Sequence, residues 1–291
     1  MSYTTIAPIS GHLKITPLNA PLGGVVTGID VSQPPAPSII LQIKKALCEY
    51  HILIFKQQKL TDEQLLNFAT YFGALFVPPD NVPVLESASG IISNVVIVSN
   101  QEGGSLGDGE VPFHTDHIWT PYPSSASFLY AEEIPSEGGD TYWLNLNLAY
   151  ETLEEEVKQE IANLQVITYN PLLREPGKPF SSYRSNSHIP VTHPVFPHPL
   201  VRTHPESGKK ILYLNHKTEV EIVGMEADKG ANLIATLREH LYQERFYYRH
   251  KWSVGDIVYW DNQSTLHRRE AFDSYSRRVL KRVSLAGGKP F

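Results

Sequence analysis

One cysteine, Cys48, is the only thiol in this chain of 291 residues. No intrachain disulfide can form, and four-cysteine zinc or iron–sulfur sites are excluded. Cys48 shares a helical apolar pattern with Ile43, Leu47 and Tyr50, which reads as a buried, inert thiol rather than a nucleophile. Also missing is any apolar run of the roughly 18–20 residues that a membrane span requires. The opening Met-Ser-Tyr-Thr-Thr-Ile-Ala-Pro has neither the basic start nor the apolar core of a secretory signal, so a cytoplasmic protein without a membrane partner is expected. A basic excess is absent too. Against 31 Asp and Glu stand 25 Lys and Arg, a net charge of −6, and no nucleic-acid partner is expected. With no internal repeat and no linker-like break, one domain over residues 1–291 is the expectation, and a homo-oligomer is compatible with it.

What is present is a succession of short apolar pieces separated by turn residues. Residues 13–31 read as two strands, and 52–55 as a fully apolar one. Helical spacing runs from Pro37 to Tyr50, with Ser38 as its expected cap, and Thr61-Asp62-Glu63-Gln64 resembles a capping box before a helix over 65–72 that Gly73 would end. Strands are expected at 91–98, 127–131 and 141–146, a helix at 148–164, a hairpin over 200–214, and a further helix at 229–242. Three strands follow, at 247–252, 256–260 and 277–285. The helices do not alternate regularly with the strands, so a doubly wound parallel sheet is disfavoured. The pattern argues for a mainly β chain with helices, built on a double-stranded β-helix (jelly-roll) core with N-terminal and inserted helices. Gly103–Gly109 reads equally as a mobile flap at a site mouth or as an ordinary surface loop, and residues 170–206 as a long connection rich in proline and histidine.

The chemistry begins at Val-Pro-Phe-His-Thr-Asp-His, where His114 and Asp116 are one residue apart in an extended segment. Alternate side chains on a strand point the same way, which puts the pair about 6–7 Å apart at the backbone. By itself such a pair is more often a surface feature than a ligand set. A second histidine would complete two His and one carboxylate, the facial set that leaves open positions on non-heme Fe(II). His267 follows an apolar strand and a polar turn near the end of the chain, and in a closed jelly roll first and last core strands are neighbours; it is the expected third ligand. Downstream, Arg278 and Arg282 have the same strand parity. An inward arginine is costly without an anion, and its planar fork fits a carboxylate. His117 has the opposite parity to the ligand pair but could face a substrate. His193, His198 and His204 read as exposed loop residues or scaffold.

Taken together, His114-Thr-Asp116, Gly138-Gly139-Asp140-Thr141, Trp260-Asp261-Asn262, His267 and Arg278 resemble the TauD/TfdA family of Fe(II)- and 2-oxoglutarate-dependent dioxygenases, from about Ile15 to Pro290. The resemblance implies that His114, Asp116 and His267 are the iron ligands and that Arg278 and Thr141 hold the far carboxylate of the co-substrate 2-oxoglutarate. Arg282 matches a second arginine that grips either the substrate's anion or the co-substrate. It implies O2-dependent oxidation of a C–H bond in a small, carboxylate-bearing substrate, with succinate and CO2 released. Hydroxylation is the usual outcome. A biosynthetic member performing desaturation, decarboxylation or isonitrile formation on an amino-acid derivative is the alternative. Pro78 and Asn81 stand near positions where taurine-specific members have a histidine and a tyrosine, so taurine is not expected. The carboxylate of Asp116 argues against halogenation. A zinc-dependent hydrolase and a non-catalytic metal-binding jelly roll remain as readings from other classes. Substrate-shaping loops are expected at 78–84, 103–110 and 169–187.

Overall fold

A computed structural model describes residues 13–80, 94–168, 196–215 and 219–291. In chain order its elements are β1 (Lys14–Pro17), β2 (Gly24–Thr27), α1 (Pro37–Tyr50), β3 (Ile52–Phe55), α2 (Asp62–Thr70), β4 (Val96–Ser99), β5 (Ser105–Leu106), β6 (Val111–His114), β7 (Ala126–Glu133) and β8 (Thr141–Asn145). Then follow α3 (Leu146–Glu151), α4 (Glu155–Ile161), β9 (Gln165–Thr168), β10 (Pro197–Pro199), β11 (Val201–Thr203), β12 (Lys210–Leu212) and β13 (Glu219–Ile222). The last group is α5 (Ala227–Leu241), β14 (Tyr247–His250), β15 (Ile257–Asp261), β16 (Thr265–Arg269) and β17 (Val279–Leu285).

Eight strands form a large sheet in the order β1-β2-β3-β15-β7-β17-β4-β5, and four form a smaller one, β14-β8-β16-β6. The two sheets face each other as a jelly roll, the fold class expected from the sequence. Strands that look uniformly apolar divide their residues between two faces because side chains alternate. On β15, Ile257 and Tyr259 join a core with α1 and α2, while Val258 and Trp260 turn toward the small sheet. Phe55, Phe68, Phe72, Phe128 and Tyr259 form the aromatic centre of the outer layer, with Phe128 and Tyr259 stacked at 4.0 Å. Each such fully buried ring contributes about 1.5–3 kcal/mol through burial. On the other side, Tyr142 and Leu144 of β8 and Leu266 of β16 pack outward against the layer containing α3 and α5. Their alternate neighbours Thr141, Trp143 and His267 are left facing the interior between the sheets. Both faces of both sheets are thus covered, and the inner space shelters polar residues of these strands from water.

Local expectations fared unevenly. The capping box forms, with Gln64 N–H donating to Thr61 Oγ1 and the Gln64 side chain accepting from the Thr61 backbone. α1 is started instead by Ala36 and Pro37 at N1, whose fixed φ suits that position, so Ser38 is inside the helix and not its cap. His51 in left-handed conformation (φ 63°) ends α1, with its N–H on Leu47 O. α2 stops at Thr70, before Gly73. The helix expected over 148–164 is two helices, α3 and α4. Thr152 Oγ1 bonds back to Leu148 O and Ala149 O, and Glu154 is extended (ψ 147°). The Gly103–Gly109 loop contains a short edge strand, β5, parallel to β4. The strand expected from 91 is observed from Val96, its first three residues lying outside the described set. Among the described residues no helix is long and apolar enough to cross a membrane.

Candidate metal centre and anion pocket

β16 was among the strands that sequence spacing did not resolve, and it positions the expected third ligand. It pairs antiparallel with β6 so that His267 lies directly opposite His114. β6 ends at His114, and Asp116 sits in the turn beyond, not on the strand as expected. The two side chains nevertheless meet because Asn262 holds the Asp116 backbone from both sides. Its Oδ1 accepts from Asp116 N–H at 3.0 Å, and its Nδ2 donates to Asp116 O at 3.0 Å. Thr115 is fixed in the same way, its N–H on Asn215 Oδ1 and its hydroxyl on Thr265 O. The Trp260-Asp261-Asn262 motif therefore acts on the ligand loop through the amide of Asn262.

His114, Asp116 and His267 bring one ligand atom each within 4.8 Å of one another. His114 Nε2 is 3.6 Å from Asp116 Oδ1, and His267 Nε2 is 3.9 Å from Asp116 Oδ2. His114 Nδ1 lies 2.8 Å from Pro112 O, a carbonyl that can only accept, so Nδ1 donates there and Nε2 is the nitrogen turned toward Asp116. Burial, with His114 beside it, holds the His267 imidazolium well below its ordinary range, so His267 is neutral. Burial alone would raise the Asp116 carboxyl, but the Arg282 guanidinium and the His114 hydrogen bond outweigh it and hold the group well below the usual carboxylate range. Arg282 Nη1 contacts both Asp116 oxygens at 3.0 Å. A carboxylate has roughly four acceptor sites, so lone pairs remain toward the imidazoles. Two imidazoles and one ionised carboxylate in a partly closed space suit a ferrous ion with open positions.

Beside this triad a pocket open to solvent lies between the sheets, with about 410 Å³ of atom-free space when its solvent-filled mouth is included. The large sheet contributes Trp260, Arg278 and Arg282, the small sheet Thr141, His267 and Arg269. Arg278 precedes β17, and with Leu280 and Arg282 it faces inward, while Val283 joins the outer core, as parity required. Arg278 is 1% exposed, its Nε donates to Gly139 O at 3.1 Å, and its Nη1 has no hydrogen-bond partner among the described residues. Burial and then Arg269 push its pKa down to about 9. A guanidinium does not surrender its proton in practice, so the direction reports a missing counter-charge. A Cβ on Gly139 would come within 3.0 Å of Arg278 Cδ, and Gly139 also has φ +69°, so glycine is required for the turn and for the close approach. Thr141 Oγ1 accepts from Trp252 Nε1 at 2.9 Å, which leaves its hydroxyl hydrogen available to an acceptor in the cavity.

Not every candidate converges here. His117 (φ 61°) stacks on Phe76 with ring centroids 3.9 Å apart and bonds Ser124 Oγ, away from the cavity lining. His198 and His204 are buried scaffold, on Thr120 O and Asp261 Oδ2 respectively, and not exposed loop residues. His193, Asn81 and the loop expected at 169–187 lie outside the described residues. Half-buried Cys48 has its thiol pushed up to about 11, mainly by burial, which fits an inert group. Sequence reading missed Arg269, although its parity with His267 on β16 was available once that segment is recognised as a strand.

Comparison with known proteins agrees with this arrangement. The profile of the taurine catabolism dioxygenase TauD, TfdA family matches residues 14–284. The chain is 31% identical over 283 residues to an alpha-ketoglutarate-dependent 2,4-dichlorophenoxyacetate dioxygenase of Cupriavidus pinatubonensis, covering 92% of this chain and 96% of the relative. A solved taurine dioxygenase structure from Burkholderia xenovorans superposes with TM-score 0.77 at 30% identity, covering 96% and 92% of the two chains. That of AAD-2 in complex with Mn(II) and N-oxalylglycine gives 0.75 at 29%, covering 96% and 99%.

Proposed function

Because this chain belongs to the taurine catabolism dioxygenase TauD, TfdA family, and is therefore an Fe(II)- and 2-oxoglutarate-dependent dioxygenase, we propose that it hydroxylates an unactivated C–H bond of a small organic anion. Family membership sets aside the zinc-hydrolase and non-catalytic readings. We assign His114, Asp116 and His267 as the iron ligands, Arg278 and Thr141 as the groups on the far carboxylate of 2-oxoglutarate, and residues 1–291 as one functional unit. Iron, 2-oxoglutarate and O2 supply the oxidation, in which the co-substrate becomes succinate and CO2 and one oxygen atom is delivered to the substrate.

The protein's own contributions are orientation and exclusion of water. His114 presents Nε2 because Pro112 O occupies the other nitrogen. Asn262 sets where Asp116 points, and Arg282 keeps that carboxylate ionised. Arg278 and Thr141 lie at the other end of the cavity, buried deeply enough that a carboxylate there exchanges water for charge-assisted hydrogen bonds.

The observation that carries the substrate class is Arg282. It is buried beside the metal ligands, and among the described residues its Nε has no hydrogen-bond partner. An anionic group on the substrate would complete it. The relatives named for 2,4-dichlorophenoxyacetate and for taurine also name anions, one a carboxylate and one a sulfonate, which supports this reading. A small carboxylate is the simplest candidate, and taurine is not, since Pro78 offers no donor where a histidine would serve a sulfonate.

The test is a screen of aryloxyalkanoates, other small carboxylates, sulfate esters and taurine with Fe(II), 2-oxoglutarate and O2, reading substrate-stimulated succinate and product mass. Stimulation only by uncharged compounds would remove the anion from the proposal. Arg282→Leu should weaken substrate binding much more than 2-oxoglutarate binding, and equal losses of both would refute the substrate role.

A further inference from the structure

The register of the small sheet brings a third guanidinium to the co-substrate end of the cavity. Arg269 follows His267 by two positions on β16, and it is paired directly across the ladder with Thr141 of β8. It is 5% exposed and lines the same cavity as Thr141 and Arg278. One edge of its fork is already committed, with Nη2 donating to the carbonyls of Leu106, at 3.0 Å, and Gly109. Among the described residues the other nitrogens, Nε and Nη1, have no hydrogen-bond partner, and neither has Nη1 of Arg278. Both guanidiniums lie over one ring, that of Phe272, at 5.3 and 5.8 Å. The nearby carboxylate of Asp140 is engaged elsewhere, its Oδ2 accepting from Arg249 Nε.

Two buried cations around one aromatic ring, with three donors unpaired, are costly unless an anion enters. Arg278 alone would need one carboxylate, and the same carboxylate, reached from the Thr141 side, satisfies Arg269 as well. We propose that Arg269 joins Arg278 in holding the distal carboxylate of 2-oxoglutarate, and that it thereby sets the preference for a dicarboxylic over a monocarboxylic 2-oxo acid. The proposal rests on the co-substrate assignment made for Arg278 and Thr141 above. Because the same guanidinium grips Leu106 and Gly109, it also ties the Ser105–Gly109 segment to the co-substrate end of the cavity.

The experiment is calorimetric titration of the Mn(II)-loaded full chain under anaerobic conditions with 2-oxoglutarate and with 2-oxobutyrate, which keeps the metal-facing 2-oxo-carboxylate and lacks the distal one. Arg269→Gln should weaken 2-oxoglutarate about 10–100-fold, the range for hydrogen bonds to charged groups, and leave 2-oxobutyrate unchanged within about threefold. Equal weakening of both ligands means that Arg269 only supports the fold, and no weakening of either means that it does not touch the anion; each result overturns the proposal. If Arg269→Gln does not fold, Arg269→Lys serves, with the charge kept and the fork lost. It should weaken 2-oxoglutarate selectively by a smaller factor, and an equal effect on the two acids again overturns the idea. A wild-type protein that does not prefer 2-oxoglutarate to 2-oxobutyrate would instead sink the co-substrate assignment itself, Arg278 included.

Discussion

The two ends of the cavity are built on opposite principles. At the metal end the carboxylate and one imidazole are held, although among the described residues His267 Nδ1 and Arg282 Nε have no hydrogen-bond partner. His114 is oriented by Pro112 O, Asp116 is clamped by Asn262 and paired with Arg282, and the acid there is ionised before any metal arrives. At the far end Arg278 and Arg269 are buried with donors left over and repel one another. The first end is pre-organised by the protein for a cation, while the second is pre-organised for an anion and carries the cost of its absence. Stability and ligand binding should therefore respond to mutation in opposite ways at the two ends.

The largest effect is expected from Asp116→Ala, which removes the anionic ligand and strands Arg282. Metal binding and succinate formation should be abolished, and the metal-free protein should lose about 3–5 kcal/mol of stability in chemical unfolding, the range for breaking a buried pair. A metal-free variant as stable as wild type would show that Arg282 is not paired as described. Arg278→Leu tests the other end. It should raise the 2-oxoglutarate dissociation constant by the equivalent of about 2–5 kcal/mol, yet leave the melting temperature of the ligand-free protein unchanged or higher, because an uncompensated buried charge is gone. Loss of both binding and stability would erase the contrast between the ends.

Smaller is the effect of Asn262→Ala, which leaves all three ligands in place and removes only the clamp on the Asp116 backbone. Metal affinity, followed by competition with a chelator, should fall about 10–100-fold, as for other groups that orient ligands. The smallest effect lies away from both ends and serves as their control. His51 is buried against Ser264 Oγ, and burial lowers its pKa to about 4. In the unfolded chain it titrates near 6.5. The unfolded state therefore binds more protons between these values, so this contribution to stability is complete above about pH 6.5 and is lost as pH falls toward 4. His204, raised above its ordinary value because Asp261 outweighs burial, contributes with the opposite sign and loses its share as pH rises past 6.5. His51→Gln should flatten the acid side of a melting-temperature profile, and an unchanged slope would count against a neutral buried His51.

Legibility of the site differed by residue type. His114, Asp116, His267 and Arg278 were readable because unusual side chains in a strand-and-turn context, matched in order to a known family, leave few alternatives. Arg269 was not, because it follows Arg268 and looks like one half of a solvated basic pair. Arg268 lies instead 3.9 Å over the Tyr142 ring on the outer face while Arg269 turns inward, a distinction that exists only once β16 has a register. For His198 and His204 exposed loop and scaffold stayed open as alternatives for a related reason, since proline-rich flanks suggest exposure while the partners that make them scaffold, Thr120 and Asp261, come from elsewhere in the chain.

The sequence by itself determined the alternation that sends Arg278, Leu280 and Arg282 one way and Val283 the other, the capping box at Thr61, and the types of atom offered to a metal and to an anion. These follow from bond geometry and local hydrogen bonding, which depend on a few neighbouring residues. Only the tertiary structure decided that Asp116 reaches the histidines from beyond the end of its strand, that Arg282 neutralises it, and that Arg269 stands opposite Thr141. Those are contacts across antiparallel ladders and between two facing sheets, and their energies depend on which distant strand supplies the neighbour.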